Sequence, residues 1–175
     1  MNVPAILEGL NAARIRYVVV GGVAANAHGS ARITLDLDIC YDPDSGNAAR
    51  LTALLAEWQA YLRGADPGLP WVLDARTLRD TPVLTLMTSL GALDIMDRIA
   101  GVGEYPRVRS ASERADIGGV ATHVITLDAL IAAKRATGRR KDREALLELE
   151  ALREIVRRRE VKERATRYRA RRAKK

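Results

Sequence analysis

Asp36 and Asp38 stand one residue apart in the run Thr34-Leu35-Asp36-Leu37-Asp38-Ile39-Cys40, and thirteen residues separate Asp36 from a Gly21-Gly22 pair. The run alternates with a period of two, which predicts a β-strand. Side chains at i and i+2 leave a strand on the same face. Both carboxylates therefore point one way, and Leu35, Leu37 and Ile39 are expected to point into a core. Two anions held this close repel each other unless a cation sits between them. A hard divalent ion such as Mg²⁺ wants such an oxygen pair, with substrate phosphates completing its shell. Aspartate is also a poor strand former, so two of them among Leu, Leu and Ile call for a chemical reason.

Four further features bear on the same chemistry. The Gly21-Gly22 pair lies between the apolar run Tyr17-Val18-Val19-Val20 and a short helical segment from Gly22 to His28. Glycine lets backbone approach a phosphate closely, and a helix start offers free N–H groups to an anion. Asp94, flanked by Leu93 and Ile95, has the same strand-like setting as the first two acids. On a neighbouring strand it would complete a two-metal site, share an ion, or accept the proton of an attacking hydroxyl. Asp97, close by, falls at the strand end and reads as a cap. Lys134 follows Leu127, Leu130 and Ile131 at i+7, on the apolar stripe of its helix. A lysine there either snorkels out or aims its ammonium into an anionic cleft. Close behind it comes the basic turn Arg139-Arg140-Lys141-Asp142-Arg143. That turn could extend a phosphate site, begin a nucleic-acid track, or simply be solvated.

The elements that must position these groups alternate at first and then segregate. Helices are expected over 2–14 and 47–62, with a strand at 17–20 and the aspartate strand after a loop at 29–32. Arg63 to Pro70 reads as loop. Val83–Thr88 and Ala92–Met96 read as strands around a turn at 89–91, and 105–116 as mixed and partly helical. Val120–Ile125 is a strand, and Thr126 caps a helix that Gly138 ends. A last helix begins near Lys141, and from Arg167 onward the chain is expected to fray unless bound. The pattern is an α/β or α+β sheet with helices packed mainly on one face.

Length and charge bound the rest. The 175 residues suffice for one domain with a real core. The longest apolar stretch, Tyr17 to Ala27, is too short for a membrane span, and no secretory signal is visible, so the location reads as cytoplasmic with no membrane partner. The single Cys40 excludes an internal disulfide and reads as a small core residue. The net charge of +7 is uneven: residues 134–175 carry 18 basic and 7 acidic side chains, and residues 1–133 carry 11 and 15. A mildly acidic body with a strongly basic tail favours a polyanionic partner, nucleic acid first and an acidic protein second.

The order Gly-Gly, thirteen residues, Asp-Leu-Asp-Ile and then a later strand aspartate resembles the signature of the polymerase-β-like nucleotidyltransferases. Gly22-Val23-Ala24, His28-Gly29, Arg32, Thr34 through Asp38, and Leu127 through Lys134 followed by Arg139-Arg140-Lys141-Asp142 resemble the small bacterial toxins of the AbiEii/MenT type. The match spans roughly residues 15 to 145, and the large C-terminal helical domain of the longer toxins has no counterpart.

The resemblance implies a nucleotidyltransferase fold: a mixed central sheet with flanking helices, a catalytic core at 1–125, and C-terminal helices with the basic tail at 126–175. Gly21 and Gly22 would hold the triphosphate, and Asp36 and Asp38 would bind Mg²⁺, two ions in all. Asp94 would share a metal or act as base, and Lys134 would neutralise triphosphate charge. Asp142 would position that lysine or touch the substrate, with Arg32 and Thr34 as nucleotide contacts. Arg139, Arg140, Lys141 and Arg143 would meet the nucleic acid. The implied partners are an NTP, an RNA acceptor such as the 3′ end of tRNA, and an antitoxin protein. The alternatives are an antibiotic nucleotidyltransferase of aminoglycoside or lincosamide type, and an inactive binding module of the same fold.

Overall fold

The computed structural model describes residues 1–66, 73–138 and 140–172, with backbone alone at 140, 141, 160 and 163–172. In chain order the elements are α1 (Val3–Ala12), β1 (Tyr17–Val20), α2 (Gly21–Ala27), β2 (Asp36–Tyr41), α3 (Ser45–Glu57), β3 (Tyr61–Leu62), α4 (Ala75–Asp80), β4 (Val83–Thr88), β5 (Gly91–Met96), β6 (Arg98–Ile99), β7 (Gly103–Glu104), α5 (Tyr105–Ser110), β8 (Ser112–Ile117), β9 (Val120–Ile125), α6 (Leu127–Thr137) and α7 (Arg140–Arg172). Seven strands form one sheet in the order β3-β4-β5-β2-β1-β9-β8, and β6 pairs with β7 in a small ribbon. The sheet is mixed: β2 runs parallel to β5 and antiparallel to β1, and β1 runs parallel to β9.

Local chemistry explains the element ends. The Asn2 side chain accepts from Ala5 N–H, Asp44 from Gly46 and Asn47, and Thr126 from Ala129, each satisfying a helix start. Along β2, Leu37 and Ile39 are fully buried while Asp36 and Asp38 are half-buried; on β5, Leu93 and Ile95 are buried and Asp94 is half-buried. Cys40 is also buried, and burial pushes its thiol up to about 12, which makes it an inert core residue.

Several expectations need correction. The aspartate strand begins at Asp36, two residues later than the alternation suggested. Leu35 is 80% exposed and Ile33 92% exposed. The reason lies in Thr34, whose hydroxyl donates to the Asp36 carbonyl at 3.1 Å and ends the ladder there. The helix expected over 47–62 stops at Glu57, and Gln59, at φ 51°, turns the chain into β3. The mixed segment at 105–116 resolves into α5 and the edge strand β8, whose sequence Ser-Glu-Arg-Ala-Asp-Ile carries little apolar signal. The C-terminal helix continues as backbone through Arg172 rather than fraying at Arg167.

Helices cover both faces of the sheet, not mainly one. Tyr17 and Tyr41 are cross-strand partners, so they share a face. The Tyr17 hydroxyl donates to Asn11 in α1, and the Tyr41 hydroxyl donates to the Leu78 carbonyl in α4. Asp38 lies three residues from Tyr41 and leaves the opposite face, where Gly22 of α2 meets it. The α2 helix packs on α6, and α6 packs on α7. Among the described residues, no helix is long and apolar enough to cross a membrane.

Candidate active site

The central pairing β5-β2-β1 brings the acids together. Register places Asp38 opposite Asp94 across the parallel β2–β5 pair, and opposite Val20, the last residue of β1, on the other side. The chain leaves β1 directly into Gly21 and Gly22, beneath Asp38. The Gly22 N–H donates to Asp38 Oδ2 at 3.4 Å, so one N–H of the glycine turn already serves the carboxylate. Gly21 has φ 62°, and a Cβ there would fall inside the Asp38 carboxylate. A Cβ on Gly22 would come within 2.5 Å of Thr34 Oγ1. Both glycines are therefore demanded by close approach, one to a carboxylate and one to the loop that leads into β2.

Burial and the neighbouring carboxylates both disfavour charge on Asp38. Burial, then the charges of Asp36 and Asp94, push the Asp38 carboxyl up to about 6; the Gly22 N–H and the ammonium of Lys134 oppose the shift. Thr34 Oγ1 also stands 3.1 Å from Asp36 Oδ1, so its single proton is shared between that carboxylate and the Asp36 carbonyl. Lys134 donates to Asp142 Oδ1 at 2.8 Å, and Asp142 Oδ2 accepts from the Thr137 hydroxyl at 2.8 Å. Asp142 is 4% exposed and pairs with Lys134. Truncating it to alanine leaves a half-buried ammonium without that partner. Asp142→Ala is expected to destabilise the fold by about 2–3 kcal/mol, read as a lower urea midpoint at unchanged m-value.

Other expected site residues lie further out. Arg32 reaches Glu144 at 3.8 Å and Glu148 at 4.0 Å on α7, tying the loop before β2 to the last helix. Arg143 is exposed on the first turn of α7. Arg139 lies outside the described residues, as do the side chains of Arg140 and Lys141.

One further residue reaches the acids from the loop expected at Arg63 to Pro70. Arg63 follows β3 directly, and its N–H donates to the Thr85 carbonyl of β4, which fixes its backbone at 3.0 Å. Its guanidinium crosses to the acids, with one Nη donating to Asp36 Oδ2 at 3.1 Å and the other to Asp94 Oδ1. Its Nε is buried with no hydrogen-bond partner among the described residues. No local pattern marks this arginine; the only hint was that three acids on one face need a cation.

The donor set suits Mg²⁺: carboxylate oxygens on adjacent central strands, beside a backbone turn too tight for a Cβ. Among the described residues no three acidic, histidine or cysteine side chains stand in metal-ligating geometry. Arg63 instead engages one oxygen each of Asp36 and Asp94.

No protein-family profile and no curated protein matches the chain. Solved structures do. A Thermotoga maritima protein provisionally named a nucleotidyltransferase is 19% identical with a TM-score of 0.54, covering 83% of this chain and 88% of its own. The antibiotic-resistance factor ANT(2'')-Ia is 14% identical with a TM-score of 0.53, covering 96% of this chain and 99% of its own. The lincosamide antibiotic adenylyltransferase LnuA, solved with lincomycin bound, is 14% identical with a TM-score of 0.58, covering 86% and 96%. The chain has the nucleotidyltransferase fold.

Proposed function

We propose that this chain is a metal-dependent nucleotidyltransferase that moves a nucleoside monophosphate from an NTP to an acceptor hydroxyl. The observation that carries this reading is the register of Asp38 against Asp94, with Asp36 two residues away, above the Gly21-Gly22 turn of a nucleotidyltransferase fold. Asp36 and Asp38 would hold Mg²⁺, and Asp94 would share an ion or take the acceptor proton. Bound there, Mg²⁺ supplies charge neutralisation on the triphosphate and polarises the α-phosphorus.

The chain's own residues do the rest. Lys134, held by Asp142, offsets charge that builds on the leaving pyrophosphate. The glycine turn lets the triphosphate approach backbone. The acceptor oxygen forms a bond to the α-phosphorus as the bond to the β-phosphate bridging oxygen breaks, and pyrophosphate leaves. The acceptor proton passes to a carboxylate, Asp94 by preference. Such catalysis is mostly alignment and electrostatics.

For the acceptor we favour RNA, and within it the 3′ end of tRNA. The support is the basic C-terminus: from Arg164 onward there are seven basic and no acidic side chains. The resemblance to AbiEii/MenT-type toxins points the same way, to a growth-inhibiting cytoplasmic enzyme held in check by an antitoxin protein. Removing residues 164–175 is expected to weaken tRNA binding and flatten its salt dependence, by about 0.7–0.9 in log–log slope for each phosphate no longer neutralised. Filter binding across a salt series measures both, and equal binding at every salt concentration refutes the tail's role.

A second reading has its own support: the likeness to ANT(2'')-Ia runs nearly end to end in both chains. It makes the acceptor a hydroxyl of a small antibiotic. Incubation with Mg²⁺, each labelled NTP in turn, and tRNA, aminoglycosides or lincosamides separates the two. Label on tRNA supports the first reading and label on an antibiotic the second. Transfer to none of them supports a binding module.

A further inference from the structure

We propose that Arg63 is the built-in counter-ion of the aspartate cluster, and that a divalent ion loads by displacing it. The inference rests on the metal-dependent reading above. The guanidinium bridges Asp36 on β2 and Asp94 on β5, oxygens that an ion between those strands would need. A divalent ion drawing on those same two oxygens would sit against the guanidinium, and two like charges that close repel, so metal and arginine compete for the pair.

Three features suit an ion pair that opens. Arg63 is anchored through its backbone to Thr85, so its Cα stays in place while the side chain swings. About a third of the side chain (32%) is open to water, which gives it a way out. Its Nε is buried with no hydrogen-bond partner among the described residues, so the bridged arrangement leaves that donor unused by them. The cluster also needs this charge. Lys134, whose ammonium favours the charged form of Asp38, is itself paired with Asp142 and does not bridge Asp36 and Asp94. Without Arg63, Asp36 and Asp94 lose the cation that bridges them.

Displacement couples two ligands. Once ions neutralise the acids, the freed guanidinium is repelled from them and attracted to the triphosphate beside it. Nucleotide thereby stabilises the displaced arrangement that metal requires, and each ligand tightens the other by the same factor. Arg63 thus acts as a positioning residue that makes metal loading depend on nucleotide.

The test is Mn²⁺ binding followed by electron paramagnetic resonance, with and without a non-hydrolysable α,β-methylene NTP analogue. It compares the wild-type chain with Arg63→Gln and Arg63→Lys. Without nucleotide, Arg63→Gln is expected to bind Mn²⁺ at least about tenfold more tightly than wild type, with Arg63→Lys in between. The nucleotide analogue should tighten Mn²⁺ binding to wild type by a similar factor and to Arg63→Gln by much less. In EDTA, Arg63→Gln should melt below wild type and recover when Mn²⁺ is added, which shows that it folds and that the arginine replaces metal charge. Equal Mn²⁺ affinity in wild type and both variants overturns the counter-ion role while leaving the metal site intact. Failure of all three chains to bind Mn²⁺ even with the nucleotide analogue overturns the metal-dependent reading itself.

Discussion

Replacing Asp38 by asparagine is expected to abolish nucleotide transfer while stabilising the protein. The loss of turnover should be at least about a thousandfold, the scale of removing a principal electrostatic interaction with the reacting phosphate. The gain in stability follows from the pKa. A carboxyl at about 6 in the folded chain against 3.8 unfolded means the native state holds a proton that the unfolded state has already shed. Stability therefore falls as pH rises from about 4 to about 6. Above that window the ionised carboxylate costs on the order of 3 kcal/mol. Asparagine keeps an oxygen to accept from the Gly22 N–H and removes the charge that Asp36 and Asp94 repel. In metal-free buffer at pH 7.5 the variant should melt several degrees above wild type, and the difference should shrink as the pH approaches about 4. An active Asp38→Asn would remove Asp38 from the chemistry; a variant that melts lower at every pH would contradict the repulsion.

Gly21→Ala is the complementary case, a methyl group that damages both fold and site. Its φ of 62° is strained for any side chain, and the added carbon would overlap the Asp38 carboxylate, with Asp38 Cβ only 2.8 Å away. Rotating the carboxylate does not relieve the clash, because β2, held between β1 and β5, fixes where the Asp38 Cβ sits. We expect a loss of about 2–4 kcal/mol, seen as a melting temperature lower by roughly 5–15 °C. NTP-dependent transfer should fall to background even at temperatures where the variant is folded. Gly22→Ala, which has no left-handed φ to strain it, meets the Thr34 side chain instead of the Asp38 carboxylate and should keep more activity. If Gly21→Ala folded and turned over like wild type, the close seat of the turn under Asp38 would be wrong.

The difference between what could and could not be read ahead is one of distance along the chain. Asp36, Asp38 and Asp94 were legible because each sits in an apolar alternation that a core would not tolerate without reason. Gly138 and Thr126 were legible because helix ends have local chemistry. Leu35 was misread because the same alternation, extended two residues too far, ignored the Thr34 hydroxyl that stops the ladder. Strand β8 was missed because an exposed edge strand needs no apolar face to mark it. Arg63 was missed for a deeper reason. Its partners lie 27 and 31 residues away, and nothing between them announces the pairing.

Residue types and their spacing alone determined that this chain carries a strand with paired acids, a glycine turn ahead of it, a later lysine helix and a basic end. Those follow from periodicity and local backbone preference, which act over a few residues. Tertiary structure decided the pairing of β2 with β5 that sets Asp94 against Asp38, the helices on both faces, and the arginine that spans two of the acids. These depend on which strands meet and in what register. Many chains of similar pattern could satisfy their local rules in other ways, and only the packed sheet selects one.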